Sequence, residues 1–160
     1  MSIEEIFQKA VQLSQDGQFE EAEKLYKQCL EIEPGHPEIW NNLGNIYRRV
    51  GQIAKSIEAY QKAIELDSSY APAYLNLACT LLTIDRYDMA KLVLLKLVNM
   101  NFQVAKSLAM LVVCHLQLNE QIEALKLFRE NKDNQEFLNE LEEYGVLNYL
   151  FELDKQWSMI

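Results

Sequence analysis

Residue types that do chemistry in proteins are sparse on this chain, which carries two histidines and three cysteines among 160 residues. His36 lies between two prolines in a loop-like stretch, and His115 follows Cys114 inside an apolar helical pattern. Neighbours on a helix point about 100° apart, so Cys114 and His115 do not form a nucleophile and base pair. His115 reads instead as a core histidine with one satisfied hydrogen bond. No glycine-rich phosphate loop, no Gly-x-Ser-x-Gly elbow and no His-Glu-x-x-His occurs. The expectation is no enzyme, no catalytic residue, no metal site and no cofactor. Side chains suited to holding are better represented: Asn41, Asn42, Asn45 and Arg48 crowd one short segment, with Asn76 further on. An asparagine amide offers both a donor and an acceptor and so matches an extended peptide backbone, while arginine holds a carboxylate bidentately.

The elements that position these residues are helices. Only 5 Gly and 3 Pro punctuate the chain, too few for a sandwich or barrel. With 49% hydrophobic residues it has enough apolar side chain for one core. Shifting the sequence by 34 residues aligns Gly17 with Gly51, Asp85 and Asn119, residue types that tolerate the left-handed backbone ending a helix. It also aligns small Ala22, Ser56, Ala90 and Ala124, and bulky Tyr26, Tyr60, Leu94 and Phe128. Large against small is what a close helix crossing requires. Four helix pairs follow, with first helices near 3–16, 37–50, 71–84 and 105–118, and second helices near 20–32, 54–66, 88–99 and 122–131. Pro34, Pro37 and Pro72 fall between pairs or in a first turn, where a missing amide proton costs least.

Trp40-x2-Leu43-Gly44-x2-Tyr47, followed by Ser56 and Tyr60 on this period, resembles the tetratricopeptide repeat. The first copy keeps Ala22, Tyr26 and Pro34 but has Lys9 and Ala10 in place of the Leu-Gly pair. The third has Tyr74, Leu77, Ala78 and Leu81, and the fourth is degenerate, with Leu108, Leu111, Val112 and His115. The resemblance implies an all-α fold, a right-handed α-solenoid of antiparallel helix pairs. Its expected organisation is one domain over 1–160: repeats near 3–36, 37–70, 71–104 and 105–134, then a helical segment 135–160. Phe137, Leu138, Leu141, Tyr144, Leu147, Leu150, Phe151 and Trp157 draw an apolar stripe along that segment, read as a capping helix. The eight acids from Glu130 to Asp154, against the single base Lys132, form its solvated face.

In solenoids the concave face of the first helices holds partners. The expected partner-binding set there is polar in the second repeat (Asn41, Asn42, Asn45 and Arg48, with Asn76 beyond) and apolar later (Leu75, Cys79, Leu82, Ala109, Val113 and Leu116). The pair Asn42 and Asn76, 34 residues apart, is similar to the asparagine ladder of the tetratricopeptide arm of O-GlcNAc transferase, but Gln8 and Met110 in the flanking repeats limit it to two rungs. The family's heat-shock-chaperone clamp is disfavoured, because Phe7, Val11, Leu75 and Cys79 stand at inner positions. Helix 105–118 is apolar nearly all round and needs a cover: the C-terminal segment, a second copy in a homo-oligomer, or a partner helix. A net charge of -9 argues against nucleic acid and against membrane surfaces, and no apolar run suits insertion. An odd cysteine count without Cys-x-x-Cys, and acids at Glu4 and Glu5 in place of a leader, point to the reducing cytoplasm. The expected function is an interaction module or adaptor that binds a peptide or helix of a protein partner in its groove. The alternative is a small acidic secretion chaperone of the same repeat type, shielding hydrophobic segments of an exported client.

Overall fold

The computed structural model describes residues 1–159; Ile160, the last residue of the C-terminal segment, lies outside the described residues. Among the described residues there are ten helices and no strand: α1 (Ile3–Gln15), α2 (Phe19–Ile32), α3 (Pro37–Arg49), α4 (Ile53–Leu66), α5 (Ala71–Thr83), α6 (Tyr87–Asn99), α7 (Val104–Gln117), α8 (Gln121–Asn131), α9 (Gln135–Glu143) and α10 (Leu147–Trp157). Local chemistry sets their ends. Ser2 Oγ accepts from the Glu5 amide at 3.2 Å while Glu5 accepts from the Ser2 amide at 2.7 Å, a reciprocal cap on α1. Pro37 opens α3, where its fixed φ suits a first turn.

One turn recurs inside every repeat. Gly17, Gly51, Asp85 and Asn119 all have left-handed backbones, with φ of 79, 81, 58 and 61°. Immediately after each, the next amide reaches back five residues: Gln18 to the Leu13 carbonyl (2.8 Å), Gln52 to Tyr47 (2.8 Å), Arg86 to Leu81 (2.9 Å) and Glu120 to His115 (2.8 Å). That closure satisfies a helix-end carbonyl and folds the second helix back on the first. The aligned small residues Ala22, Ser56, Ala90 and Ala124 are fully buried, as are Tyr60, Leu94 and Phe128, with Tyr26 at 1%.

The helices gather into two compact units, one of residues 1–80 and one beginning at Leu81, so the division falls within α5. In the first unit α1 packs on α2, α2 on α3 and α3 on α4, around Ile6, Ala10, Tyr26, Ile39, Leu43, Ile46 and Ala59. In the second unit α7 is central, against α6, α8 and α9, and α10 lies on α8 and α9.

The C-terminal segment differs from the single capping helix expected of it. It is a shortened helix pair, broken at Gly145 (φ 71°), where the Val146 amide returns to the Leu141 carbonyl at 3.1 Å in the same turn the repeats use. The break comes sooner than the 34-residue period places it, so alignment by period does not find it. Phe137, Leu141, Leu150 and Leu153 join Ala109, Val112, Ala124, Leu125 and Phe128 in one buried cluster, with Leu116 packed against it. The apolar face of α7 is therefore covered by the chain's own α9, with α10 packed on α8 and α9. Arg129 and Lys132 from α8 and its end both pair with Asp154 of α10, closing that cover at its rim.

At the crossing of α3 and α4, a Cβ on Gly44 would lie 2.5 Å from Cε1 and 2.6 Å from Cδ1 of the buried Tyr60 ring. Real Cβ atoms do not approach that closely, and a ring with no exposed surface has nowhere to swing. Gly44→Ala is expected to lower stability by about 1–3 kcal/mol, the usual cost of overpacking, read as a fall of several degrees in melting temperature by calorimetry. An unchanged melting temperature would contradict this packing.

Candidate peptide-binding face

The expected site residues separate into three groups. Asn42 and Asn45 line a recess of about 170 Å³ on the first unit, facing Val11, Ser14 and Gln15 of α1, with Tyr26 of α2 also in its lining. Both asparagines are half-buried, as is Arg48 one turn beyond Asn45. Asn41 is a correction: placed by an ideal helical wheel on the open side, it is 5% exposed. Its Oδ1 accepts from Asn76 Nδ2 at 3.0 Å, so Asn76, expected as a rung beside Asn42, is instead clasped to Asn41 between α3 and α5. Thr80 Oγ1 donates to the Asn76 carbonyl at 2.8 Å and ties the same turn. Leu75 and Cys79 on α5 are half-buried.

The third group lies in the second unit. Ala109 is a further correction, because it has no exposed surface and belongs to the cluster shared with α9 and α10; Leu116 packs against that cluster. Neither offers a partner an open groove. Val113 and Leu82 are half-buried. His115 is also in this unit: its Nδ1 stands 2.7 Å from Glu120 Oε2, and Lys91 Nζ lies 2.6 Å from the same oxygen. Lys91 and then His115 hold the Glu120 carboxyl below its ordinary range. Among the described residues no three His, Cys, Asp or Glu side chains stand close enough to hold a metal ion, and no helix is long and apolar enough to cross a membrane.

Tyrosines of the core order the polar recess. Tyr60, fully buried, donates its hydroxyl to Asn45 Oδ1 at 2.8 Å. With that oxygen committed, the group Asn45 has left to offer is its Nδ2–H pair, a donor suited to a peptide carbonyl. Tyr26 stands against Asn42: burial pushes the Tyr26 phenol up to about 12, and the Asn42 amide draws it back down. Burial likewise takes Tyr60 to about 12 against the pull of the nearby Arg48 charge and Thr80. On the other flank of α3 the Tyr47 hydroxyl donates to Glu23 at 2.9 Å, and burial followed by that carboxylate raises it to about 12. Ser14, Gln15 and the two tyrosine hydroxyls were missed in the sequence. A signal was present: a hydroxyl on a core position needs a partner, and Tyr26 and Tyr60 share one column of the period.

Residues 6–137 match the family of the cilia and flagella-associated protein 70 middle TPR-like domain. The chain belongs to that family. Among curated proteins, this TPR-like domain is 24% identical over 132 residues to the tetratricopeptide repeat-containing protein trd-1 of Caenorhabditis elegans, an alignment spanning 82% of the chain and 17% of that protein. It is 32% identical over 76 residues to a protein SGT1 homolog of rice (Oryza sativa subsp. japonica), covering 48% of the chain and 21% of the relative. The chain thus spans less than a quarter of the length of these relatives. Among solved structures, a crystal structure of MamA protein superposes with TM-score 0.73 at 21% identity, over 96% of the chain and 88% of MamA. YrrB, described as a TPR protein with an unusual peptide-binding site, gives 0.74 at 18% identity over 93% and 77%. The first TPR of Spaghetti (RPAP3), solved with the HSP90 peptide SRMEEVD, gives 0.68 at 18% over 73% and 95%. At these identities the likeness is one of fold: the TPR-like domain is an all-α array of TPR helix pairs.

The raised phenols give an alkaline signature. Tyr26, Tyr47 and Tyr60 each keep their proton to about pH 12 in the folded chain, whereas unfolded tyrosines lose it near 10. Their contribution to stability is therefore complete below about pH 10 and is lost as pH rises towards 12. Melting temperature is expected to fall across that window together with the appearance of phenolate absorbance, and Tyr60→Phe to lessen the fall. Early ionisation of these phenols, with the fold intact, would contradict their burial.

Proposed function

We propose that the chain is a protein-interaction module whose first unit holds an extended segment of a partner protein in the recess between α1 and α3. The observation that carries this reading is the Tyr60–Asn45 hydrogen bond, which turns a buried core residue into the support of an amide donor lining an accessible recess. Asn45 supplies a donor and Asn42 a second amide one turn away, so both kinds of peptide backbone group find a partner. Arg48, half-buried beside them, takes a carboxylate from an acidic side chain or a chain end. Because Tyr60 cannot rotate within a packed crossing, the donor is oriented before the partner arrives, and less conformational entropy is lost on binding. The peptide-bound RPAP3 domain and the peptide-binding site of YrrB support the general role on the same fold. An adaptor role is the finer reading, with the module contributing one contact within a longer protein. The alternative, a small acidic secretion chaperone of the same repeat type, differs in its client: it keeps one apolar client soluble, whereas an adaptor joins two folded partners.

The test begins with peptides selected from a random library against the intact chain. The double variant Asn42→Ala, Asn45→Ala is expected to bind the selected peptides at least about tenfold more weakly, equivalent to about 1.4 kcal/mol, at an unchanged melting temperature. Equal affinity in the double variant would remove the recess as the binding site.

A further inference from the structure

The first unit has a second recess, on a different flank of α3. Trp40 and Tyr47 stand seven residues apart on one edge of that helix, with Asn42 and Asn45 about 200 and 140° around from Trp40. This recess, of about 430 Å³, is lined by Trp40 and Tyr47, by Lys27 of α2, and by Lys55, Glu58, Ala59 and Lys62 of α4. A chain with nine more acids than bases thus turns three lysines to one place. Their charge is only partly spent. Lys27 pairs with the half-buried Glu23 at 2.7 Å, and Lys62 meets the exposed Glu65 at a loose 3.4 Å. Lys55 Nζ is 5.6 Å from the Tyr47 centroid, and its charge also acts on Glu23. The half-buried Trp40 ring forms part of the wall.

We infer that this recess is a second binding site, taking an acidic peptide segment of a partner protein in which an apolar side chain rests on Trp40 and flanking carboxylates meet Lys55 and Lys62. The lining distinguishes this ligand from a phosphate compound. All the lining residues are helical and only Lys55 stands in a first turn, that of α4, so the recess lacks the run of consecutive backbone donors that cradles phosphates. Lysine ammoniums are point charges suited to single carboxylates, and Glu58 in the same wall opposes a dense negative charge. The aromatic floor gives the apolar residue its seat. The site stands independently of the asparagine recess.

Trp40 is the reporter. The chain has two tryptophans, and Trp157→Phe leaves Trp40 alone. This variant of the full chain is titrated with the acetylated, amidated peptide Glu-Glu-Leu-Phe-Glu-Glu, following indole emission at low and physiological salt. A saturable change is expected, several-fold weaker at the higher salt, and at least fivefold weaker again when Lys55→Ala and Lys62→Ala are added. Adding Asn42→Ala and Asn45→Ala instead should leave it unchanged, which separates this site from the first. The inference is overturned by an absent change in the folded Trp157→Phe protein, by equal binding in the lysine double variant, or by equal binding of the Gln-for-Glu peptide. Saturable binding of inorganic pyrophosphate without binding of the peptide would overturn it in favour of a polyphosphate site.

Discussion

The Tyr60 ring occupies the space where any side chain at residue 44 would stand, and its hydroxyl reaches past that crossing to Asn45. Two consequences follow from one side chain. The ring requires a glycine inside α3, a residue that by itself weakens a helix by about 1 kcal/mol relative to alanine, because the close approach of α3 and α4 is recovered in packing. The hydroxyl, carried into the core by that ring, needs an acceptor there and finds it in an amide whose other end lines the recess. Packing and presentation of the binding group are therefore one interaction, not two.

Within the first unit the same large-against-small rule has Ala10 and Tyr26 in the corresponding places, both buried except for a trace at Tyr26. Only Tyr26 and Tyr60 among the bulky members carry a hydroxyl, and only these two stand beside asparagines on the next first helix or the same pair. In the second unit, the buried Leu94 and Phe128 carry no polar tip, and α9 packs on α7.

Much of this was legible in the sequence because helix-pair geometry is local. A left-handed turn needs Gly, Asn or Asp, and Gly17, Gly51, Asp85 and Asn119 are those residues at equal spacing. Small and bulky columns are likewise fixed by the crossing of adjacent helices. What escaped depends on which helix comes next in space. Asn41 lies on the polar side of a wheel, yet α5 lies over it and Asn76 takes its amide. Ala109 and Leu116 read as a groove until α9 is set beside them, and α9 is hard to delimit because Gly145 breaks the C-terminal stripe ahead of the period. The lysine recess escaped for a similar reason: Lys27 and Lys55 are far apart in sequence and meet only across α3.

The central claim is that Asn42 and Asn45 are the presented groups while Asn41 is a structural clasp, and side-chain amide resonances report it most directly. An isotope-labelled full chain is titrated with a library-selected peptide while the asparagine amide signals are followed by NMR. The signals of Asn42 and Asn45 should shift and saturate together, with those of Asn41 and Asn76 staying in place. Saturation of binding with Asn42 and Asn45 unmoved, or with the Asn41–Asn76 pair shifting first, would contradict the account.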